Sequence, residues 1–181
     1  MTNGILATAA AHPAPPCVMV IFGASGDLTK RKLLPALLNL AEEGLLPKDF
    51  AIVGFSFDQM TTEALREKLG REVREYALHP VDDILWQWLV ERIYYVQGDF
   101  ADPAAYQRLK DQILAAEKTH NTQGNRFHYL AVAPKFFSTI VKQLGQAGLT
   151  QETSGHWTHV IVEKPFGHDL ESAIQLNKDL K

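Results

Sequence analysis

Gly23-Ala24-Ser25-Gly26-Asp27-Leu28 sets two glycines in G-x-x-G spacing between an apolar run, Val18 to Gly23, and a leucine-rich stretch. The chemistry that suits such a segment is the binding of a diphosphate by backbone. Glycine permits a tight turn and lets anionic oxygens approach the main chain, and the first turn of a following helix offers N–H groups without partners. G-x-x-G alone also describes an ordinary glycine turn. Its place at the first strand-to-helix junction is what points to a dinucleotide.

Two other nucleotide-binding patterns fail on spacing. A mononucleotide phosphate loop needs Gly-x-x-x-x-Gly-Lys followed by Ser or Thr, but here Lys30 is preceded by Thr29 and followed by Arg31. A short-chain dehydrogenase or nucleotide-sugar epimerase would favour glycine where Thr29 stands and a Tyr-x-x-x-Lys late in the chain. The one such match, Tyr106 to Lys110, falls in the helix after the third predicted strand and reads as a solvated helix face.

The elements that must hold these residues alternate. Val18 to Gly23 is a strand; the following helix carries Leu33, Leu37, Leu40 and Ala41, begins near Pro35 or kinks there, and ends at Gly44. Phe50 to Gly54, Arg92 to Gln97, Arg126 to Val132 and His159 to Val162 are the next strands. Helices are predicted over Thr62 to Leu78, Ala101 to Lys118, Lys135 to Ala147 and Asp169 to Lys181. Thr61 caps the second helix, and Pro103 stands at the first position of the third. Strands regularly separated by helices imply an α/β fold, a doubly wound parallel sheet of the Rossmann-like type, with its ligand outside the carboxyl ends of the strands.

The totals fit one such domain. The chain has 181 residues, 46% of them hydrophobic, and a net charge of −3 with no long run of either sign. Neither nucleic acid nor a membrane surface is an expected partner. The single cysteine, Cys17, cannot pair within the chain, which suits a reducing, cytoplasmic setting. Met1 to Cys17 reads as a disordered N-terminal tail and residues 18–181 as the domain; Ile5 to Ala11 is too short to span a bilayer.

Gly23-Ala24-Ser25-Gly26-Asp27-Leu28-Thr29-Lys30-Arg31-Lys32 resembles the coenzyme loop of glucose-6-phosphate dehydrogenases, with Thr29 in place of the usual Ala. Tyr129-Leu130-Ala131-Val132-Ala133-Pro134 and Glu163-Lys164-Pro165-Phe166-Gly167 match two further segments of that family, in the same order and at strand ends. The resemblance covers about Val18 to Lys181.

It implies oxidation of glucose 6-phosphate at C1 to 6-phosphogluconolactone, with hydride passing to a nicotinamide, usually that of NADP, in a protein that forms homo-oligomers. Lys164 is similar to the family lysine that reaches both substrate and cofactor, and Pro165 to the proline at the joint between two domains. Gly23, Ala24, Ser25, Gly26, Asp27 and Leu28 would hold the coenzyme, Ala133 and Pro134 would line the nicotinamide pocket, and Asp99 and Phe100 would face the adenosine. The family histidine that accepts the C1 hydroxyl proton, paired with a carboxylate, is expected downstream, so no catalytic base is assigned in this chain and the 181 residues are expected to be a fragment. His128 reads as a core histidine, His168 as the neighbour of a helix cap, and His156 with His159 lack the companions of a metal site. The alternative is a stand-alone dinucleotide-binding module that turns nothing over.

One departure concerns the choice of cofactor. The family usually places Arg two or three residues beyond the glycine of the second strand, to pair with the 2′-phosphate of NADP, whereas Gly54 is followed by Phe55-Ser56-Phe57-Asp58. Asp58 suits a free ribose 2′-hydroxyl, as in NAD, and repels a 2′-phosphate. Lys30, Arg31 and Ser25 are near enough in sequence to offset this, so NADP stays the family default and NAD the alternative.

Overall fold

A computed structural model describes residues 12–77, 79–152 and 155–163. Five parallel strands form one sheet: β1 (Cys17–Phe22), β2 (Phe50–Ser56), β3 (Ile93–Gln97), β4 (Arg126–Leu130) and β5 (Thr158–Val162), in the order β3-β2-β1-β4-β5. Five helices lie between them: α1 (Leu34–Glu42), α2 (Thr62–Tyr76), α3 (Asp83–Val90), α4 (Pro103–His120) and α5 (Phe137–Gln146). The predicted doubly wound sheet is therefore the fold.

The period-two geometry of strands explains why the sheet has two covered faces. On β1 and β2, Val18, Val20, Phe22, Ala51, Val53 and Phe55 pack with α4 and α5, while Cys17, Met19, Ile21, Phe50 and Ile52 pack with α1, α2 and α3. Both strands are buried along their whole length, as a central parallel strand must be. β5 is an edge strand, and Ile161 on it is 40% exposed.

Helix boundaries follow local chemistry. Thr61 accepts a hydrogen bond from Ala64 N at 3.2 Å and starts α2; Asp102 accepts from Ala104 N at 3.0 Å and starts α4, with Pro103 at its first position. The run before Pro35 is wound as a π-turn, Thr29–Leu33, and the regular α1 begins at Leu34.

Three points differ from the sequence reading. An additional helix, α3, precedes β3; Asp82 caps it by accepting from Leu85 N at 2.8 Å, and Trp86 and Leu89 bury its inner face. Part of the expected tail belongs to the domain: β1 begins at Cys17, Asn125 Nδ2 donates to Pro16 O at 2.9 Å, and Ala14 N donates to Leu45 O at 3.0 Å. Backbone pairing recruits these residues, which hydrophobicity alone did not mark. The predicted last helix, Asp169 to Lys181, lies outside the described residues.

Candidate functional site

The strand order creates the site. From β1 the chain winds outward through β2 to β3, then returns across the sheet to β4 on the other side of β1. The connections leaving β1 and β4 therefore diverge to opposite faces, and a crevice opens at their carboxyl ends. Gly23 stands at this point with φ +82°, and a side chain there would meet Ala131 O at 2.5 Å and Val132 Cγ1 at 2.9 Å. Only glycine lets the first turn lie against the end of β4.

The turn is closed from within. Gly23 O accepts from Gly26 N at 2.9 Å and from Thr29 Oγ1 at 3.2 Å, and Gly23 N donates to Phe55 O at 2.8 Å. Ser25 is held from outside the turn: its hydroxyl shares a 2.8 Å hydrogen bond with that of Ser56, and its carbonyl accepts from Lys68 Nζ of α2 at 2.9 Å. Ala24 is buried against β2, where Gly54 makes room for it; a Cβ on Gly54 would lie 2.6 Å from that of Ala24. Around Gly26, by contrast, a Cβ would approach only Gly23 O, at 3.1 Å. Open space over a turn whose following helix begins with unpaired N–H groups fits a pyrophosphate.

Asp27 and Leu28 open the helical run. The Asp27 carboxylate pairs with Lys30 and Arg31, each at 3.1 Å, and the Lys30 hydrogen bond holds its carboxyl below the usual range. Lys30 also meets Glu72 at 3.6 Å, and the Arg31 guanidinium lies 4.9 Å from the centre of the Tyr76 ring. Lys30 and Arg31 thus already have anionic or aromatic partners.

The second junction lies beside the first, at the end of β2. Phe57 is 42% exposed, and its ring stands 4.3 Å from that of Phe100 and 5.9 Å from that of Phe136. Asp58 is exposed, and its carbonyl accepts from Tyr95 OH at 2.7 Å. No described side chain donates to its carboxylate.

The remaining predicted residues divide. Ala133 and Pro134 sit just past β4, at the start of a short 3-10 turn, on the crevice side of the sheet. Asp99 lies beyond β3, and its carboxylate accepts from Ala101 N at 2.8 Å. Phe100 is only 2% exposed and packs against Phe22, Phe55 and Phe136, so its ring is part of the core. Lys164 and Pro165 lie outside the described residues.

Other titratable groups are accounted for by packing. Tyr106 is fully buried and donates to Phe100 O at 3.0 Å, while Lys110 Nζ donates to Ala147 O at 3.0 Å; the pair expected on a solvated helix face is a core tyrosine and a helix-end tie. His128 is fully buried, with Nε2 3.0 Å from Leu149 O, and burial pulls it down to about 4, so it is neutral near pH 7. His159 stacks on Trp157 at 4.8 Å. Among the described residues no cluster of His, Cys, Asp and Glu could hold a metal, and no helix is long and apolar enough to cross a membrane. An apolar groove lined by Leu46, Pro47, Ile84 and Trp88 lies beside the segment that precedes β2, at the opposite end of the strand from this site.

The sequence model described as the glucose-6-phosphate dehydrogenase NAD binding domain matches residues 20–181. The chain belongs to this family. It is 41% identical over 167 residues to the glucose-6-phosphate 1-dehydrogenase of Chlamydia pneumoniae, covering 91% of this chain and 33% of that protein. The enzyme of the same name from Bacillus subtilis (strain 168) is 40% identical over 167 residues, covering 92% of this chain and 33% of the relative. A solved structure of glucose-6-phosphate dehydrogenase in complex with its substrate glucose 6-phosphate superposes with a TM-score of 0.79 at 34% identity, covering 95% of this chain and 35% of that one. The chain thus spans about a third of the length of the relatives it matches, and corresponds to their nicotinamide dinucleotide-binding domain.

Proposed function

We propose that this chain is the coenzyme-binding part of a cytoplasmic, homo-oligomeric dehydrogenase that oxidises glucose 6-phosphate at C1 to 6-phosphogluconolactone. The observation that carries the reading is the Gly23–Gly26 turn, closed by Thr29 and set against the end of β4 at the point where the sheet changes direction. When bound, the nicotinamide accepts the hydride. The chain's own residues bind and orient: the turn holds the pyrophosphate through backbone N–H groups, Ala133 and Pro134 border the nicotinamide, and Lys164 donates to the sugar phosphate. Loss of hydride from C1 leaves a hydroxyl proton to be accepted. His128 is buried on the sheet, and His156 and His159 flank the start of β5, at the amino end of the sheet, so these three do not suit that task. A base supplied from outside the described residues completes the reaction.

The cofactor favoured by the second junction is NAD. A 2′-phosphate near Asp58 meets a like charge, and Phe57 offers no donor, while Lys30 and Arg31 are engaged by Asp27, Glu72 and Tyr76. A 2′-hydroxyl donating to the carboxylate makes a charge-assisted bond contributing about 1.5–3 kcal/mol, or tenfold or more in affinity, by the relation of about 1.4 kcal/mol per decade. Titration of NAD and NADP against the 181-residue chain and its Asp58→Arg variant tests this. NAD is expected to bind more tightly to the wild type, and the variant to gain NADP affinity by about tenfold through a bidentate guanidinium–phosphate pair. A wild-type preference for NADP that the substitution leaves unaltered would show that the basic residues of the first helix select the cofactor.

A further inference from the structure

The segment from Phe57 to Thr61, which carries Asp58 from β2 into α2, is held at both ends by a single residue of the neighbouring strand. Tyr95 of β3 stands opposite Gly54 in the sheet register, and its ring lies where a larger residue at position 54 would crowd it, a Cβ there coming within 3.4 Å of Tyr95 Cδ2. At one end of the segment its hydroxyl donates to Asp58 O at 2.7 Å, with Ser56 O a second acceptor at 3.2 Å. At the other end its backbone N–H donates to Thr62 Oγ1, in the first turn of α2, at 3.0 Å. Tyr95 is 8% exposed, so its ring cannot swing away from these contacts.

We propose that Tyr95 is a positioning residue for cofactor selection: its hydroxyl fixes the backbone at Asp58, and with it the carboxylate that reads the ribose. The inference rests on the role given to Asp58 above. Phe57 anchors the same segment from the other side by packing on Phe100, and its carbonyl accepts from Gln97 Nε2 at 3.3 Å, which leaves the Tyr95 hydroxyl as the tie on Asp58 itself. Burial, reinforced by the Asp58 charge, pushes the Tyr95 phenol up to about 12, and the hydroxyl stays a donor throughout the pH range in which such an enzyme works. The turn that grips the pyrophosphate is fixed by Gly23, Thr29 and Lys68, and its one link to this region, the Ser25–Ser56 hydroxyl pair, runs through a β2 residue whose carbonyl also accepts from Gly98 N at 2.9 Å, so loss of the Tyr95 hydroxyl loosens the reading of the ribose and leaves the grip on phosphate. Selectivity and affinity therefore part company at this residue.

Tyr95→Phe keeps the ring and the backbone bond to Thr62 and removes only the hydroxyl. NAD and NADP are titrated against the 181-residue chain as wild type, Tyr95→Phe, Asp58→Asn and the double variant, with melting curves to follow the fold. In Tyr95→Phe, NAD affinity is expected to fall about fivefold, the equivalent of one net hydrogen bond, with NADP affinity little changed. In the Asp58→Asn background the same change should leave the ratio where it is, because the carboxylate through which Tyr95 acts is gone. Equal weakening of both nucleotides, or an unchanged ratio in Tyr95→Phe, would reduce Tyr95 to a packing residue and overturn the proposal. If Asp58→Asn itself leaves the wild-type ratio intact, the reading of Asp58 is at fault and the role of Tyr95 falls with it.

Discussion

The two junctions that meet at the crevice are built in opposite ways. The first, Gly23 to Thr29, is set chiefly by its own backbone, through a glycine at positive φ, a carbonyl that accepts two hydrogen bonds, and contact with the end of β4 closer than any side chain would allow, with Ser25 tied from outside to Ser56 and Lys68. The second, Phe57 to Thr61, is exposed and contains no glycine; it is held by side chains reaching in from elsewhere, Tyr95 from β3 and Phe100 from beyond it. Pyrophosphate is common to all dinucleotides, so the part that grips it can be fixed in the chain's own geometry. The ribose end is where dinucleotides differ, and on the proposed reading it faces the second junction, which is held by replaceable side chains. Substitutions at the first junction should therefore affect folding or all binding, and those at the second should affect choice.

The largest effect is expected at Gly23. Gly23→Ala sets a Cβ 2.5 Å from the Ala131 carbonyl oxygen, a backbone atom that cannot turn aside, and also forces alanine to adopt φ +82°. The left-handed conformation costs about 1–2 kcal/mol and overpacking typically about 1–3 kcal/mol, so a loss of about 2–5 kcal/mol of stability is predicted. Urea unfolding of the purified chain measures it. A loss below about 1 kcal/mol, within reach of an ordinary surface substitution, would mean that the first turn is as adaptable as the second.

Gly26 separates folding from binding within the same turn. A Cβ there meets only Gly23 O, at 3.1 Å, and the backbone is not at positive φ, so Gly26→Val should fold with a modest loss of stability. Its branched side chain would instead fill the space over the turn. Excluding the phosphate from even one backbone N–H removes a charge-assisted bond of about 1.5–3 kcal/mol, so NAD and NADP should both weaken by about tenfold or more. Calorimetric titration of the folded variant checks this; unchanged affinity for both would place the dinucleotide elsewhere.

What the sequence made legible follows the same division. Gly23 announces its turn because a backbone requirement limits the residue type, and the alternation of apolar runs with helical spacing was enough for the five strands of the sheet. The second junction was readable only as chemistry: Asp58 stood out by its charge, but nothing in the spacing of Tyr95 or Lys68 says that their polar ends meet the carbonyls of Asp58 and Ser25. Adjacency to a strand end does not say which way the Phe100 ring turns, and it turns into the core. Helix α3 was missed because Asp83 to Val90 is too short and too densely apolar to show a helical period; the pair Asp82-Asp83 before it was the available signal.

Thr29 offers the finest test of the contrast, because its side chain closes the first turn from within, onto the carbonyl of Gly23. It is 1% exposed, and its hydroxyl donates to Gly23 O at 3.2 Å. Alanine in its place removes a net hydrogen bond of about 0.5–1.5 kcal/mol, yet Gly23 O keeps the bond from Gly26 N and is not left unpaired. Alanine is also the better helix former by several tenths of a kcal/mol, about half of what is lost. Thr29→Ala is therefore expected to destabilise the chain by no more than about 1 kcal/mol, with the affinities for NAD and NADP and the ratio between them unchanged. Denaturation and paired titrations would show it. A cost approaching that of Gly23→Ala would mean that the turn depends on this hydroxyl rather than on its glycine, and that the first junction, like the second, is held in shape by its side chains.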